Sequence, residues 1–595
     1  MCGIVGYIGS NEKKEILING LKELEYRGYD SAGIAVLSAG ELKTFRAVGK
    51  ICNLENKCAD FISKGFGIGI GHTRWATHGK PTEINAHPQI AHFSNVVHNG
   101  IIENYQEIKK DLEQKGHCFL SQTDTEVIVR LFEEFLKDTE DGFEAFRQTI
   151  ATLRGAYAIL LISVKYPDKI FYAKNGSPLI IAKGNDGVYF GSSDACVIGY
   201  ADKVVYLKDG DVGCMDIHSF ESLENIRPLE QNKAFAQKDG FRYFMEKEIY
   251  EQHKVLLETM MGRVNEDGVA LESVPDGFFE GVDELIICAC GTSYHAGMSG
   301  KYVLERIAKI RTNVVMASEF RYANSVMRKS EIFIVISQSG ETADTLEALK
   351  LAKANGLKTL AICNVDNSSI VRESDAVILT RAGIEKGVAS TKAFATQMMV
   401  LWMLGVYIAT QKNLLNKNDL ENQFTSMVRS VKATEVSPKL HERLKRLSKR
   451  YLHGHGFFFI GRDVFYPLAL EGALKLKEVS YLHAEGYPSG EMKHGPIALA
   501  DSLLFTIALV PRHLLGDKIK SNVEELSARD STICVISSEE VETADDMVYI
   551  DPAQDYMEEF FSMMVALQLL ALEVAIKLGN DVDMPRNLAK SVTVE

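Results

Sequence analysis

The sequence predicts an α+β domain at the N-terminus followed by two α/β domains with parallel sheets. Three observations carry that prediction. The chain has 595 residues, more than one hydrophobic core fills. Short strands bounded by glycines dominate as far as Asp216, whereas beyond about 275 buried strands alternate with helices. A shift of roughly 170 residues also lays the later part on itself, as duplicated domains do.

In the first part, Gly3–Ile8, Ala32–Leu37, Gly67–Gly71, Asn95–His98, Ala156–Ser163 and Val188–Ser192 read as strands. Helical spacing covers Lys13–Glu25, Asn104–Lys115 and Glu126–Lys137. Short connections favour antiparallel pairing. His218–Asp239 is polar and irregular, a linker, and a helix follows from about Tyr243. Glu284–Ala289, Glu331–Ser337 and Lys358–Asn364 are buried-strand candidates, each leading into a helix. The shift sets Ile286–Gly291 on Gly456–Gly461, Ser374–Ala376 on Ala544–Asp546 and Gln397–Leu404 on Leu567–Val574. The expected layout is 2–217, a connecting segment 218–274, repeats at 275–415 and 445–585, and a tail 586–595.

Composition narrows the function. A net charge of -14 without a dense Lys/Arg run argues against nucleic acid and anionic membrane surfaces. Phe394–Ala409 and Phe560–Ile576 are apolar but carry Gln397, Ser562, Gln568 and Glu573, so they read as core helices rather than membrane spans. The ten cysteines are scattered, with no zinc spacing, and no signal peptide precedes them; this reads as a reduced, cytosolic protein. No Walker A loop or GxGxxG fingerprint is present, so ATP and dinucleotides have no evident seat, and the motifs found require no metal or organic cofactor.

Cys2 either opens a buried strand or acts as a nucleophile. With Met1 removed, its thiol and a free α-amine share one Cα, and the amine is basic enough near neutrality to take the thiol proton. Arg74, beside Trp75 and His78, is either a surface cation or a paired donor to a carboxylate. Asn99-Gly100 is first a hairpin turn, and alternatively an oxyanion hole. Thr123 and Glu126 have capping-box spacing, with Asp124 between them. In the later part, Ser337-Gln338-Ser339-Gly340-Glu341-Thr342 follows a strand and precedes a helix. Its hydroxyls either cap that helix or hold a phosphate at its N-terminus. Glu471, Lys475 and Glu478 share a helix face, as a solvated charge stripe or an acid–base group. The tail after Pro585 has no periodicity and would ordinarily be loose.

Cys2–Gly6, Tyr26–Ser31, Arg74–His78, Asn99-Gly100 and Asp124 together resemble the class II glutamine amidotransferase domain, an N-terminal-nucleophile hydrolase. The resemblance implies that Cys2 attacks the glutamine amide and that Asn99 and Gly100 hold the oxyanion. It also implies that Arg27, Arg74, Trp75, Thr77, His78 and Asp124 line the substrate. The Ser337–Thr342 run, with Ser293 and Gly387–Lys392, resembles the sugar-isomerase (SIS) domain. The ensemble, ending in Arg586-Asn587-Leu588-Ala589-Lys590, is similar to the bacterial pattern of the isomerising glutamine–fructose-6-phosphate aminotransferase family. That similarity implies the substrates L-glutamine and D-fructose 6-phosphate, a homodimer, and an enclosed ammonia route with Trp75 as its gate. It implies a Schiff base on Lys590, proton transfer by Glu478, and ring opening assisted by His494, with Lys475 and Glu471 close by. Ser337, Gln338, Ser339 and Thr342 would hold the phosphate, and Ser293, Val388 and Ser390 would line the sugar. Two departures stand out: His253 where the family commonly has Pro, and Met584 where it commonly has Gln.

Overall fold

The computed structural model describes the whole chain except Met1, Lys64, Thr77, 230–237, Glu272 and 593–595. It divides into one unit of Met1–Phe235 with Ala589–Glu595 and a second of Ala236–Leu588.

In the first unit the strands form an eight-stranded and a five-stranded sheet, antiparallel throughout. The alternation in Gly3–Gly9 explains their stacking. Ile4 and Ile8 face a core shared with Val97, Leu160 and Ile162 of the smaller sheet. Val5 and Tyr7 face the opposite way, onto Leu17 and Leu21 of the helix Lys13–Leu24. The outer face of the smaller sheet packs Val96, Ile159 and Leu161 on Phe132 and Phe146, from helices Glu126–Phe135 and Gly142–Thr152. The unit is therefore a four-layer αββα sandwich.

The second unit holds two five-stranded parallel sheets of matching order. Taking each sheet's strands in chain order, the first-entering strand lies second from one edge in both. Glu284–Ala289 and Gly456–Gly461 are these equivalent strands. Equivalent aspartates close both sheets: Asp375 accepts the Thr359 N–H at 2.9 Å, and Asp545 accepts that of Ile533 at 2.8 Å. The helices Lys392–Gln411 and Tyr556–Leu578 are long and apolar enough to cross a membrane, yet 89% and 78% of their apolar 18-residue stretches are buried within the protein. Gln397 and Gln568 lie inside them, and the Gln568 carbonyl accepts from the Gln252 amide at 2.9 Å.

Two local expectations are corrected. Asn99-Gly100 is no hairpin: both residues lie within the strand Ser94–Ile102, opposite Ala158 and Tyr157. Gly100 sits at φ +138°, and a Cβ there would come 1.9 Å from the Ala156 carbonyl oxygen, so the glycine serves close strand approach. Thr123 and Glu126 form no capping box. The Glu126 carboxylate instead accepts the Leu120 and Ser121 N–H groups and pairs with Arg130. The start of the tail is held more firmly than its composition suggests, the Arg586 N–H donating to the Tyr481 hydroxyl at 2.7 Å. Asp583 accepts the Phe244 and Met245 N–H groups at 2.9 Å, and its carbonyl accepts that of Val388 at 3.1 Å.

Candidate functional sites

The first site starts from Cys2, at the mouth of the strand Gly3–Gly9. Gly3 pairs with Thr73 and donates its N–H to the Thr73 hydroxyl at 3.1 Å, which sets Cys2 against the end of the strand Gly67–Arg74. The Trp75 N–H then points at the Cys2 Sγ from 3.3 Å. From the facing sheet, the Asn99 amide donates to the Cys2 carbonyl at 3.1 Å. Burial pushes the Cys2 thiol up in pKa, while the N-terminal charge, the Trp75 N–H and Arg74 oppose it. The thiol thus stays protonated until a base takes the proton.

Arg74 is buried and donates to the carbonyls of His78 and Gly79, the latter at 3.1 Å, but its Nη1 has no protein partner. Asp124, also buried, accepts the Ile102 N–H at 2.8 Å and lies within electrostatic reach of Arg74. Asp30 accepts the Ala76 N–H at 2.8 Å and so shapes the Trp75 turn. Arg27 is buried, donating to the Ser192 carbonyl at 3.1 Å; Ser192 in turn receives the Ile4 N–H on its hydroxyl. That places Arg27 as a brace behind the Cys2 strand. His78 stacks edgewise on Tyr105. Thr77 lies outside the described residues.

Three buried histidines behind this site, His72, His87 and His98, had no assigned part in the sequence reading. His72 Nε2 lies 3.0 Å from the His98 carbonyl, and His87 and His98 both bond the Thr125 hydroxyl, at 2.8 and 2.9 Å. Burial holds all three neutral, His72 down to about 3.

The second site lies at the carboxyl ends of the parallel strands, where open α/β sheets bind ligands. Ser337, ending Glu331–Ser337, accepts the Gly340 N–H at 3.0 Å, and Ser339 accepts that of Glu341 at 3.2 Å. Thr342 stands at the N-cap of Ala343–Ala354 without a side-chain cap bond; its hydroxyl lies 3.2 Å from that of Ser337. Helix capping therefore does not account for these hydroxyls. Ser293 receives the buried Gln397 amide at 3.0 Å, and Ser390 donates to Glu385 at 3.2 Å. Val388 is committed through its N–H to Asp583, as above.

On the helix Phe465–Ser480, Lys475 is 1% exposed and lies 2.6 Å from Glu478 and 3.4 Å from Glu471. A solvated stripe is thereby ruled out. Thr292 and His295, from the helix Gly291–Ala308, both engage Glu471, at 2.9 and 2.8 Å. Burial pulls the Lys475 ammonium down, but Glu478 and Glu471 outweigh it and hold it above the ordinary lysine range. Burial likewise pushes the Glu471 carboxyl up, and Lys475 and His295 more than reverse it. His295 was missed in sequence because its partner lies in the other repeat. His494 is exposed at the end of Ser489–His494 and makes no polar contact among the described residues. Lys590 falls in the terminal segment that groups with the first unit and is half-buried.

A glutamine amidotransferase domain model matches residues 77–198, and a SIS domain model matches 279–407 and 454–578. The chain is 60% identical to the glutamine–fructose-6-phosphate aminotransferase (isomerizing) of Campylobacter jejuni, covering 100% of both chains. The chain belongs to the isomerising glutamine–fructose-6-phosphate aminotransferase family. A Helicobacter pylori aminotransferase of the same name is 58% identical, again over 100% of both chains. The C-terminal domain of glucosamine-fructose-6-phosphate aminotransferase from Francisella tularensis matches with a TM-score of 0.56 and 40% identity, spanning 59% of this chain and 100% of that one. The fold expected from sequence, an N-terminal-nucleophile hydrolase domain followed by two SIS domains, is that of this aminotransferase family.

Proposed function

We propose that the chain transfers the amide nitrogen of L-glutamine to D-fructose 6-phosphate and isomerises the product, giving D-glucosamine 6-phosphate and L-glutamate. The observation that carries this reading is the similarity along the entire chain to aminotransferases of that name. The enzyme acts as a cytosolic homodimer, with a glutaminase domain at 2–217, SIS domains at 275–415 and 445–585, and a catalytic tail at 586–595.

The geometry around Cys2 supports the glutaminase half. With Met1 removed, the free amine takes the thiol proton and the thiolate attacks the side-chain carboxamide carbon of glutamine. The Asn99 amide and the Gly100 N–H take the developing oxyanion. Collapse, with the α-ammonium handing its proton to the departing nitrogen, expels ammonia and leaves a γ-glutamyl thioester that water hydrolyses. The unpartnered Nη1 of Arg74 suits the glutamine carboxylate, and Asp124 suits its ammonium.

For the sugar half, Ser337, Gln338, Ser339 and Thr342 take the phosphate, and Ser293, Val388 and Ser390 line the chain of the sugar. Lys590 forms the Schiff base with the C2 carbonyl, and Glu478 carries the proton between C1 and C2. Lys475 and Glu471 fix the charge beside Glu478. His494 assists ring opening, and its exposure without polar partners among the described residues suits a part played across the dimer. The test is product analysis with amide-labelled glutamine and fructose 6-phosphate. Label in glucosamine 6-phosphate is expected. Isomerised sugar without label would mean a sugar isomerase, and binding without turnover would mean a phosphosugar sensor.

A further inference from the structure

The two parallel sheets can be superposed by pairing register alone. Glu284 faces Glu331 in the first sheet, and Gly456 faces Leu504 in the second. Counting on from these pairs, Ser337, Ser339, Gly340 and Thr342 correspond to Val510, Arg512, His513 and Leu515. The following helices, Ala343–Ala354 and Gly516–Ser527, then start at corresponding residues. The second loop has thus lost all three hydroxyls of the first.

Two of its backbone N–H groups converge on one spot, and a carboxylate fills that spot. The Arg512 N–H donates to Glu559 Oε1 at 2.7 Å and the His513 N–H to Glu559 Oε2 at 3.1 Å. The His513 ring Nδ1 lies 3.2 Å from the same Oε2. Glu559 is 0% exposed and comes from the buried helix Tyr556–Leu578. A carboxylate is taken so far from water only where charge-assisted bonds compensate it. Two loop N–H groups on two oxygens, just before a helix, is also how such loops hold an edge of a phosphate.

We propose that Glu559 is an internal ligand closing the second SIS domain's anion cradle, so that the chain binds one phosphosugar rather than two. The proposal rests on reading Ser337–Thr342 as the phosphate cradle of the first domain. It predicts that without the Glu559 carboxylate the second cradle accepts a small phosphate in its place.

The test uses the full-length chain, with amide hydrogen exchange at Arg512 and His513 and the stoichiometry of fructose 6-phosphate by calorimetry. The wild type should bind one fructose 6-phosphate per chain, with both amides protected and indifferent to inorganic phosphate. In E559A both amides should exchange about tenfold faster or more, the worth of one lost bond, and inorganic phosphate should slow them again. E559D draws the carboxylate back by one methylene but keeps its charge; it should speed exchange with no response to phosphate, and covers the case in which E559A does not fold. Two sugars per wild-type chain, amides unchanged in both variants, or no phosphate effect in a folded E559A would each overturn the proposal. Separately, S339A/T342A should abolish fructose 6-phosphate binding. Retained binding there would refute the phosphate reading of the first cradle while leaving the exchange result to stand by itself.

Discussion

One hydrogen bond joins Cys2 to Asn99 of the facing sheet, at the place proposed for the glutaminase chemistry. C2A should abolish glutamine hydrolysis, and N99A should lower its kcat by about 100- to 1,000-fold, the usual cost of one oxyanion donor, in a glutamate-release assay. His295 reaches the proposed sugar site only through Glu471, which it bonds beside Lys475. H295L should slow sugar-phosphate isomerisation roughly ten- to a hundredfold, as expected for a lost bond to a charged group, mainly in kcat and with glutaminase activity unchanged. H295N should recover it, because an asparagine Nδ2 branches from Cγ as the histidine Nδ1 does. The buried histidines make a statement about pH. His72 titrates near 3 folded and near 6.5 unfolded, so the unfolded chain binds more protons between those values and stability falls as pH falls through that window. By pH 5 His72 alone should cost about 2 kcal/mol. Thermal melts between pH 7 and 5 should therefore show a shallower pH dependence in H72Q than in the wild type.

At the scale of elements, buried strands were legible and turn chemistry was not. Glu284–Ala289 and Glu331–Ser337 were found at their observed ends, because a buried parallel strand is a continuous apolar run. Asn99-Gly100 misled because its composition is that of a hairpin, while the positive φ of Gly100 is demanded by a neighbouring strand distant in sequence. Thr123 and Glu126 misled for the same reason: Glu126 found better donors in the preceding loop and Arg130. The segment after Asn580 is the opposite case, patternless yet tied by Asp583 to the start of Phe244–Tyr250 and to Val388. D583A strips two N–H groups of their acceptor and should cost about 1–3 kcal/mol. The bond from Val388 to the Asp583 backbone carbonyl survives that substitution, so the loss is read as stability, by chemical denaturation.

For the whole molecule, two chemistries in one chain predict crossed phenotypes. C2A should spare fructose 6-phosphate isomerisation, and K590A should abolish it while leaving glutamine hydrolysis; a folded variant losing both activities would refute separate sites. Sequence by itself determined the fold class, the duplication and most candidate side chains, because strand periodicity, burial patterning and the spacing of reactive groups are local and one-dimensional. Only the tertiary structure decided which polar groups are taken and which are left over. Glu471 is claimed by His295 and Thr292 from the other repeat, Glu559 by the loop at Arg512, and Arg74 keeps one nitrogen unclaimed. Those outcomes depend on hydrogen-bond partners far apart in the chain, and in a buried setting the partner, more than the residue type, sets the energy.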